Sequence, residues 1–211
     1  MANTKLEFFL KQLTKEETLS RRVIKALEEC PYDEATMKRA LDYLIEKKVS
    51  RPRIITNAHL IARNPASLER NYEGNLVELA GYHIGKTIEE KTLGENDVFT
   101  YARGFLAHYP TLFGVTRDTT IANMEFLVEL EYSPIKHDLY VFLSSRKSTK
   151  ERRKELIREE IFAPNMNVNI DEAVMTYLRD GNQKLLTLSS ENLRSQKEKL
   201  TEEARKTGYF N

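Results

Sequence analysis

The residues that could do chemistry are few in this chain, and each set implies a different function. Ala80-Gly81-Tyr82-His83-Ile84-Gly85-Lys86-Thr87 fits a relaxed phosphate-loop pattern, in which backbone amides cradle phosphates while Lys86 and Thr87 reach phosphate and Mg²⁺. Such a loop must follow a buried strand and open a helix, whereas Glu73 to Leu79 reads as a helix end. The favoured expectation for 80–87 is therefore a glycine C-cap at Gly81 followed by a loop, with a nucleotide-binding switch as the alternative. His59, His83, His108 and His137 are dispersed, with no pair three or four residues apart, so no metal site is expected. Cys30 is the only cysteine and has no base near it in sequence. It reads as a small buried or half-buried side chain in a reducing compartment. No nucleophile elbow, Cys-x-x-Cys pair or dinucleotide fingerprint is present, so neither a catalytic function nor a cofactor is expected.

What remains is binding chemistry. Six of the nine residues from Arg146 to Lys154 are cationic, with Ser148 and Thr149 placed to open a helix. Helix N-terminal amides together with Arg and Lys suit phosphate oxygens. The candidate nucleic-acid contacts are Arg146, Lys147, Lys150, Arg152 and Arg153, extended in the following unit by Arg194 and Lys197. The competing reading is a solvated helix with Lys147/Glu151 and Arg152/Glu155 pairs. Totals do not favour a polyanion partner, since 33 Lys and Arg face 32 Asp and Glu. The distribution is less even. Residues 104–145 carry a net −3 and residues 146–211 a net +3, so a polyanion site belongs late in the chain.

Only 8 Gly and 6 Pro punctuate 211 residues, and the runs between them have helical periodicity. The expected class is all-α. Residues 18–29 and 33–47 form a helical hairpin about Pro31, with Asp33 as N-cap and Met37, Ala40, Leu41, Leu44 and Ile45 turned inward. Pairs follow at 53–63 with 67–80, and at 98–108 with 118–130, broken at Pro65 and Pro110. A fourth pair is introduced by Pro134, its polar second helix capped by Thr149. A fifth joins 171–180 to 190–206. The expectation is an irregular α-helical repeat array, an αα-hairpin solenoid of about five pairs. Its parts are an N-terminal capping helix at 1–17, a repeat region at 18–161 with units near 18–48, 52–80, 98–131 and 134–160, and a C-terminal pair at 162–211. Residues 81–96 are an irregular insertion. No membrane span or targeting segment is read in the chain, which implies an intracellular protein.

The repeats resemble the mitochondrial transcription termination factor family, mTERF, whose units join short helices around a Pro-Leu-Leu-like turn. The resemblance is carried by Phe105-Leu106-Ala107-His108-Tyr109-Pro110-Thr111-Leu112-Phe113-Gly114-Val115 followed by Ile121 to Leu130. It continues in Leu185-Leu186-Thr187-Leu188-Ser189-Ser190-Glu191-Asn192-Leu193, and more weakly in Ile55 to Leu79. It covers about half of the chain. It implies a curved helical solenoid with a basic concave face on DNA or RNA, and the near-neutral charge departs from that pattern. A non-enzymatic nucleic-acid binder is the leading expectation, and a protein-interaction scaffold or adaptor the alternative.

Overall fold

The computed structural model describes residues 21–90, 95–134, 136–166 and 169–210. The expected capping helix at 1–17 lies outside the described residues. Those described are all helical, without a strand. They divide into two compact units, Met1–Thr120 and Ile121–Asn211.

The first unit contains α1 (Arg21–Glu28), α2 (Glu34–Glu46), α3 (Arg51–Thr56), α4 (Pro65–Glu90) and α5 (Glu95–His108). Short 3₁₀ turns at Ala58–Leu60 and Pro110–Gly114 precede α4 and α6 (Arg117–Glu129), and the division between units falls within α6. The second unit continues with α7 (Lys136–Ser144), α8 (Lys147–Ile157), a wider turn at Arg158–Phe162, and α9 (Ile170–Tyr177). It ends with a 3₁₀ turn at Gln183–Thr187, then α10 (Ser190–Ser195) and α11 (Lys197–Lys206).

Local chemistry explains the starts. The Asp33 carboxylate accepts from Thr36 N–H at 2.8 Å and the Ser189 hydroxyl from Asn192 N–H at 3.1 Å. Pro65 and Pro110 open their elements where a missing N–H costs nothing. The fourth residue after each start-defining position (Asp33, Asn64, Thr116, Arg146, Ser189) is buried: Met37, Leu68, Thr120, Lys150 and Leu193. The third residue before it is buried as well: Cys30, Ile61, Phe113, Leu143 and Leu186. Rings fill the interior of each unit. Tyr72 meets Phe113 edge-on at 4.9 Å in the first, and Phe162 meets Tyr177 at 5.4 Å in the second.

Turn carbonyls between helices are not left to water. The Asn71 amide donates to Phe113 O at 3.1 Å, and the Asn75 amide to Leu112 O and Val115 O at 2.9 Å each. In the second unit the Asn123 amide donates to Leu143 O at 3.1 Å and Ser145 O at 2.8 Å, and Arg153 Nε donates to Leu188 O at 2.7 Å. Asn71, Asn123 and Arg153 are each the seventh residue after the position preceding their helix. Buried amides in such places must be paired, since an unpaired one costs about 1–3 kcal/mol.

Several expectations are corrected. Helix α4 does not cap at Gly81 but runs to Glu90, so 80–87 is helical backbone rather than a loop; of the expected irregular insertion at 81–96, residues 81–90 belong to α4 and 95–96 to α5, and 91–94 lie outside the described residues. A phosphate loop is incompatible with that continuous helix. Thr149 is not the cap of α8; Arg146 precedes it, which starts the helix three residues earlier. Residues 190–206 form two helices meeting at Gln196 rather than one. Ile45, expected inside, is 50% exposed.

Candidate binding interface

The basic segment 146–154 is divided by the helix that carries it. Because α8 begins at Lys147, its inward side takes Lys150, with Arg153 and Lys154 beside it, and its outward side takes Glu151, Arg152 and Glu155. Lys150 is fully buried, and its ammonium donates to Asn123 Oδ1 and Ser145 O, each at 2.7 Å. The Phe142 ring lies 4.6 Å from Nζ and supplies a cation–π contact. Burial pushes this ammonium down from its ordinary 10.5 to about 7. Lys150 is therefore withdrawn from the candidate phosphate contacts: a side chain with no exposure meets no phosphate.

The other candidates fall into four groups. Arg153 is half-buried and spends its guanidinium on Leu188 O and the Ser190 hydroxyl, both at 2.7 Å, so it too is a structural cation. Arg194 and Lys197 share one carboxylate, Glu160, at 2.8 and 3.8 Å, which brings these two together as the sequence suggested but neutralises part of their charge. Lys147 leans over the Phe126 ring at 5.7 Å. Arg146 and Arg152 are exposed and form no ion pair among the described residues; Arg152 borders a groove of about 320 Å³ with Glu155, Glu159 and Arg194. The outward side is thus mixed in sign. The expected Lys147/Glu151 and Arg152/Glu155 pairs do not form, and Glu155 instead meets Arg158 at 3.1 Å.

A different set of positions stands out by exposure. Ile45, Val77 and Val128 are 50%, 54% and 77% exposed. They lie on α2, α4 and α6, the twelfth, thirteenth and twelfth residues after Asp33, Asn64 and Thr116, so Val77 stands one residue out of step with the other two, and the twelfth residue of its own helix, Leu76, is buried. Each is followed by a glutamate (Glu46, Glu78, Glu129) and preceded by an acid three or four residues earlier (Asp42, Glu73, Glu125). Residues at i−3 and i−4 lie beside position i on a helix, so each exposed apolar side chain has one carboxylate, Asp42, Glu73 or Glu125, on its own face. Five of these six carboxylates are already met: Glu46 and Glu73 by Lys47 at 3.1 and 3.6 Å, Glu78 by Arg117 at 2.7 Å, Glu129 by Lys154 at 3.5 Å and Asp42 by Lys38 at 2.7 Å; only Glu125 has no ion pair among the described residues. Sequence reasoning missed these positions because Leu44-Ile45, Leu76-Val77 and Leu127-Val128 read as undivided core clusters. The trailing glutamate was the available signal.

Among the described residues no group of three His, Cys, Asp or Glu could hold a metal ion. No described helix is long and apolar enough to cross a membrane. His108 ends α5 with its carbonyl and ring reached by the Arg53 guanidinium, a last-turn partnership of the kind its position suggests. The chain matches no family model and no curated protein sequence.

Proposed function

We propose that this chain is a non-enzymatic helical-repeat scaffold in which each unit holds polypeptide segments on the outward sides of its second helices. The observation that carries the reading is the recurrence of Ile45, Val77 and Val128, each exposed, each directly before a glutamate and each with an acid one turn earlier. The shared burial pattern around five helix starts supports reading the helix pairs within each unit as irregular repeats, in keeping with the mTERF-like pattern of Phe105 to Leu130. Apolar side chains beside carboxylates complement a segment bearing apolar residues flanked by Lys or Arg, and the same carboxylates repel a polyanion.

The test uses the full chain and synthetic amphipathic peptides with Leu and Lys at helical spacing, against a Leu/Glu peptide of the same spacing. The Leu/Lys peptide should bind, and Ile45→Glu, Val77→Glu and Val128→Glu combined should abolish binding while leaving the helical circular-dichroism signal intact. Equal binding of both peptides, or binding that survives the triple change, overturns the reading.

A second reading, binding of a DNA or RNA backbone, is favoured by one observation: Arg146, Lys147 and Arg152 remain at the start of α8 without a carboxylate partner among the described residues. Duplex DNA and structured RNA titrated across a salt series decide it. Affinity that falls steeply with salt and is lost in Arg146→Gln/Arg152→Gln supports it; no binding at low salt rejects it.

A further inference from the structure

The first unit holds a groove of about 480 Å³ where the end of α2 faces α4 and α5. Its floor is the Tyr72 ring, Leu76, Gly104 and Ala107, and its charged walls include Lys48 and Arg103. A third cation, Lys47, also borders it but is engaged: its ammonium reaches Glu46 at 3.1 Å and Glu73 at 3.6 Å and lies 5.0 and 5.1 Å from the Tyr43 and Tyr72 rings. Among the described residues Lys48 and Arg103 form no ion pair and no hydrogen bond through their side chains.

Lys48 is conspicuous for a separate reason. Helix α2 ends in a Schellman motif, Lys48 N–H to Ile45 O at 2.9 Å and Val49 N–H to Leu44 O at 3.0 Å, which places Lys48 at φ 60°. Glycine is the residue that position favours. Two other helices end the same way. After α11 and its cap residue Thr207 the chain closes on Gly208 at φ 84°, as expected. After α6 it closes on Glu131 at φ 51°, whose carboxylate has a use, meeting Arg179 at 3.4 Å. Lys48 occupies the same unfavourable conformation with its ammonium directed to no described partner, at the wall of an open groove.

We propose that this groove is a binding site for an organic carboxylate, with the acid group between Lys48 and Arg103 and an apolar body on Tyr72, Leu76 and Ala107. Three cations against two carboxylates leave one positive charge, which a monoanion neutralises. A dianionic phosphate fits worse: it exceeds the single net positive charge, and the carbonyl end of α2, which disfavours any anion, disfavours two charges more than one. Gly104 adds room, since a Cβ there would meet nothing within 4 Å. The acid is either a small free molecule or the carboxyl end of a peptide chain, the same chemistry from two sources. The site adjoins Ile45 and Val77, sharing Glu46 and Glu73 with them, and is told apart from them by Lys48, Arg103 and Gly104.

The probes are N-acetyl-leucine, its amide, and a short peptide ending in leucine with a free or amidated terminus, each titrated into the full chain and followed by amide chemical shifts. Free carboxylates should move the Lys48, Arg103 and Gly104 resonances, and the amides should not. Lys48→Gly separates fold from binding: it relieves the backbone and should raise the melting temperature, yet weaken the carboxylate about tenfold, as loss of one charge-assisted hydrogen bond does. Gly104→Leu fills the groove from within a helix and should abolish binding with the fold retained. Tighter binding of the peptide than of N-acetyl-leucine assigns the site to a chain end, and equal binding assigns it to a small acid. Amides that bind as well as acids, or unchanged affinity in Lys48→Gly, overturn the proposal.

Discussion

Asn75 in the first unit and Asn123 in the second perform the same task with different third partners. Each amide nitrogen holds two carbonyls of the following turn, and each amide oxygen accepts one hydrogen bond from the fourth residue after the next start-defining position. In the first unit that donor is the Thr120 hydroxyl, in the second the Lys150 ammonium, both at 2.7 Å. Elsewhere the position holds Met37, Leu68 or Leu193. The site accepts a methyl group, a hydroxyl or a charge, provided that whatever is polar finds an acceptor. The two units differ in what they risk: a neutral network loses hydrogen bonds when broken, whereas a charged one strands a buried ion.

The largest expected effect breaks the charged network. Asn123→Leu removes an acceptor from Lys150 and a donor from Leu143 O and Ser145 O, and should destabilise the second unit by about 4 kcal/mol in chemical denaturation. Asn75→Leu, with no ion to strand, should cost about 2 kcal/mol. Near-equal losses would show that the charge contributes nothing to the difference.

Next in size is a dependence on pH that the first unit's network cannot have. The folded-state value of Lys150, about 7, lies below its ordinary 10.5, so the unfolded chain holds the extra proton between those limits. Stability must therefore rise with pH from about 7 upward, at a slope approaching about 1.4 kcal/mol per pH unit, and be flat below it. Lys150→Gln keeps a donor for Asn123 and should remove that slope. A slope that persists in the variant assigns it to another group. The smallest effect is Thr120→Val, which deletes one hydroxyl donor at constant shape and should cost about 1 kcal/mol with no change in pH dependence.

Much of the helical layout was legible because its punctuation is local. Pro31, Pro65 and Pro110, the Asp33 cap and the scarcity of glycine all act within a few residues of where they sit. The fate of Lys150 was not. Placing the cap of α8 at Thr149 instead of Arg146 shifted the helix start by three residues, and with it the match between Lys150 and the buried Met37, Leu68 and Leu193. The residue that accepts its hydrogen bond, Asn123, belongs to another helix and leaves no trace in the basic run. Gly81 misled in the opposite direction: a lone glycine costs a helix about 1 kcal/mol, too little to end α4, and a Cβ there would meet nothing within 4 Å. The exposed trio Ile45, Val77 and Val128 was visible as residues but not as a surface, since apolar periodicity alone does not say which member of a pair turns outward.

The polar side chains that grip the turns carry a consequence for how such a chain can change. Start-defining positions fall at 33, 64, 116, 146 and 189, so the stretches between them vary widely in length, while the contacts from Asn71, Asn75, Asn123 and Arg153 all land within a few residues of the next start. Extra residues can enter the first helix of a pair without disturbing those contacts. Excising a whole pair, or shuffling its order, leaves a buried amide or guanidinium facing an unmatched neighbour. Ancestral lengthening is thereby permitted where recombination of single pairs is penalised, and the order of the helices becomes harder to alter than their lengths.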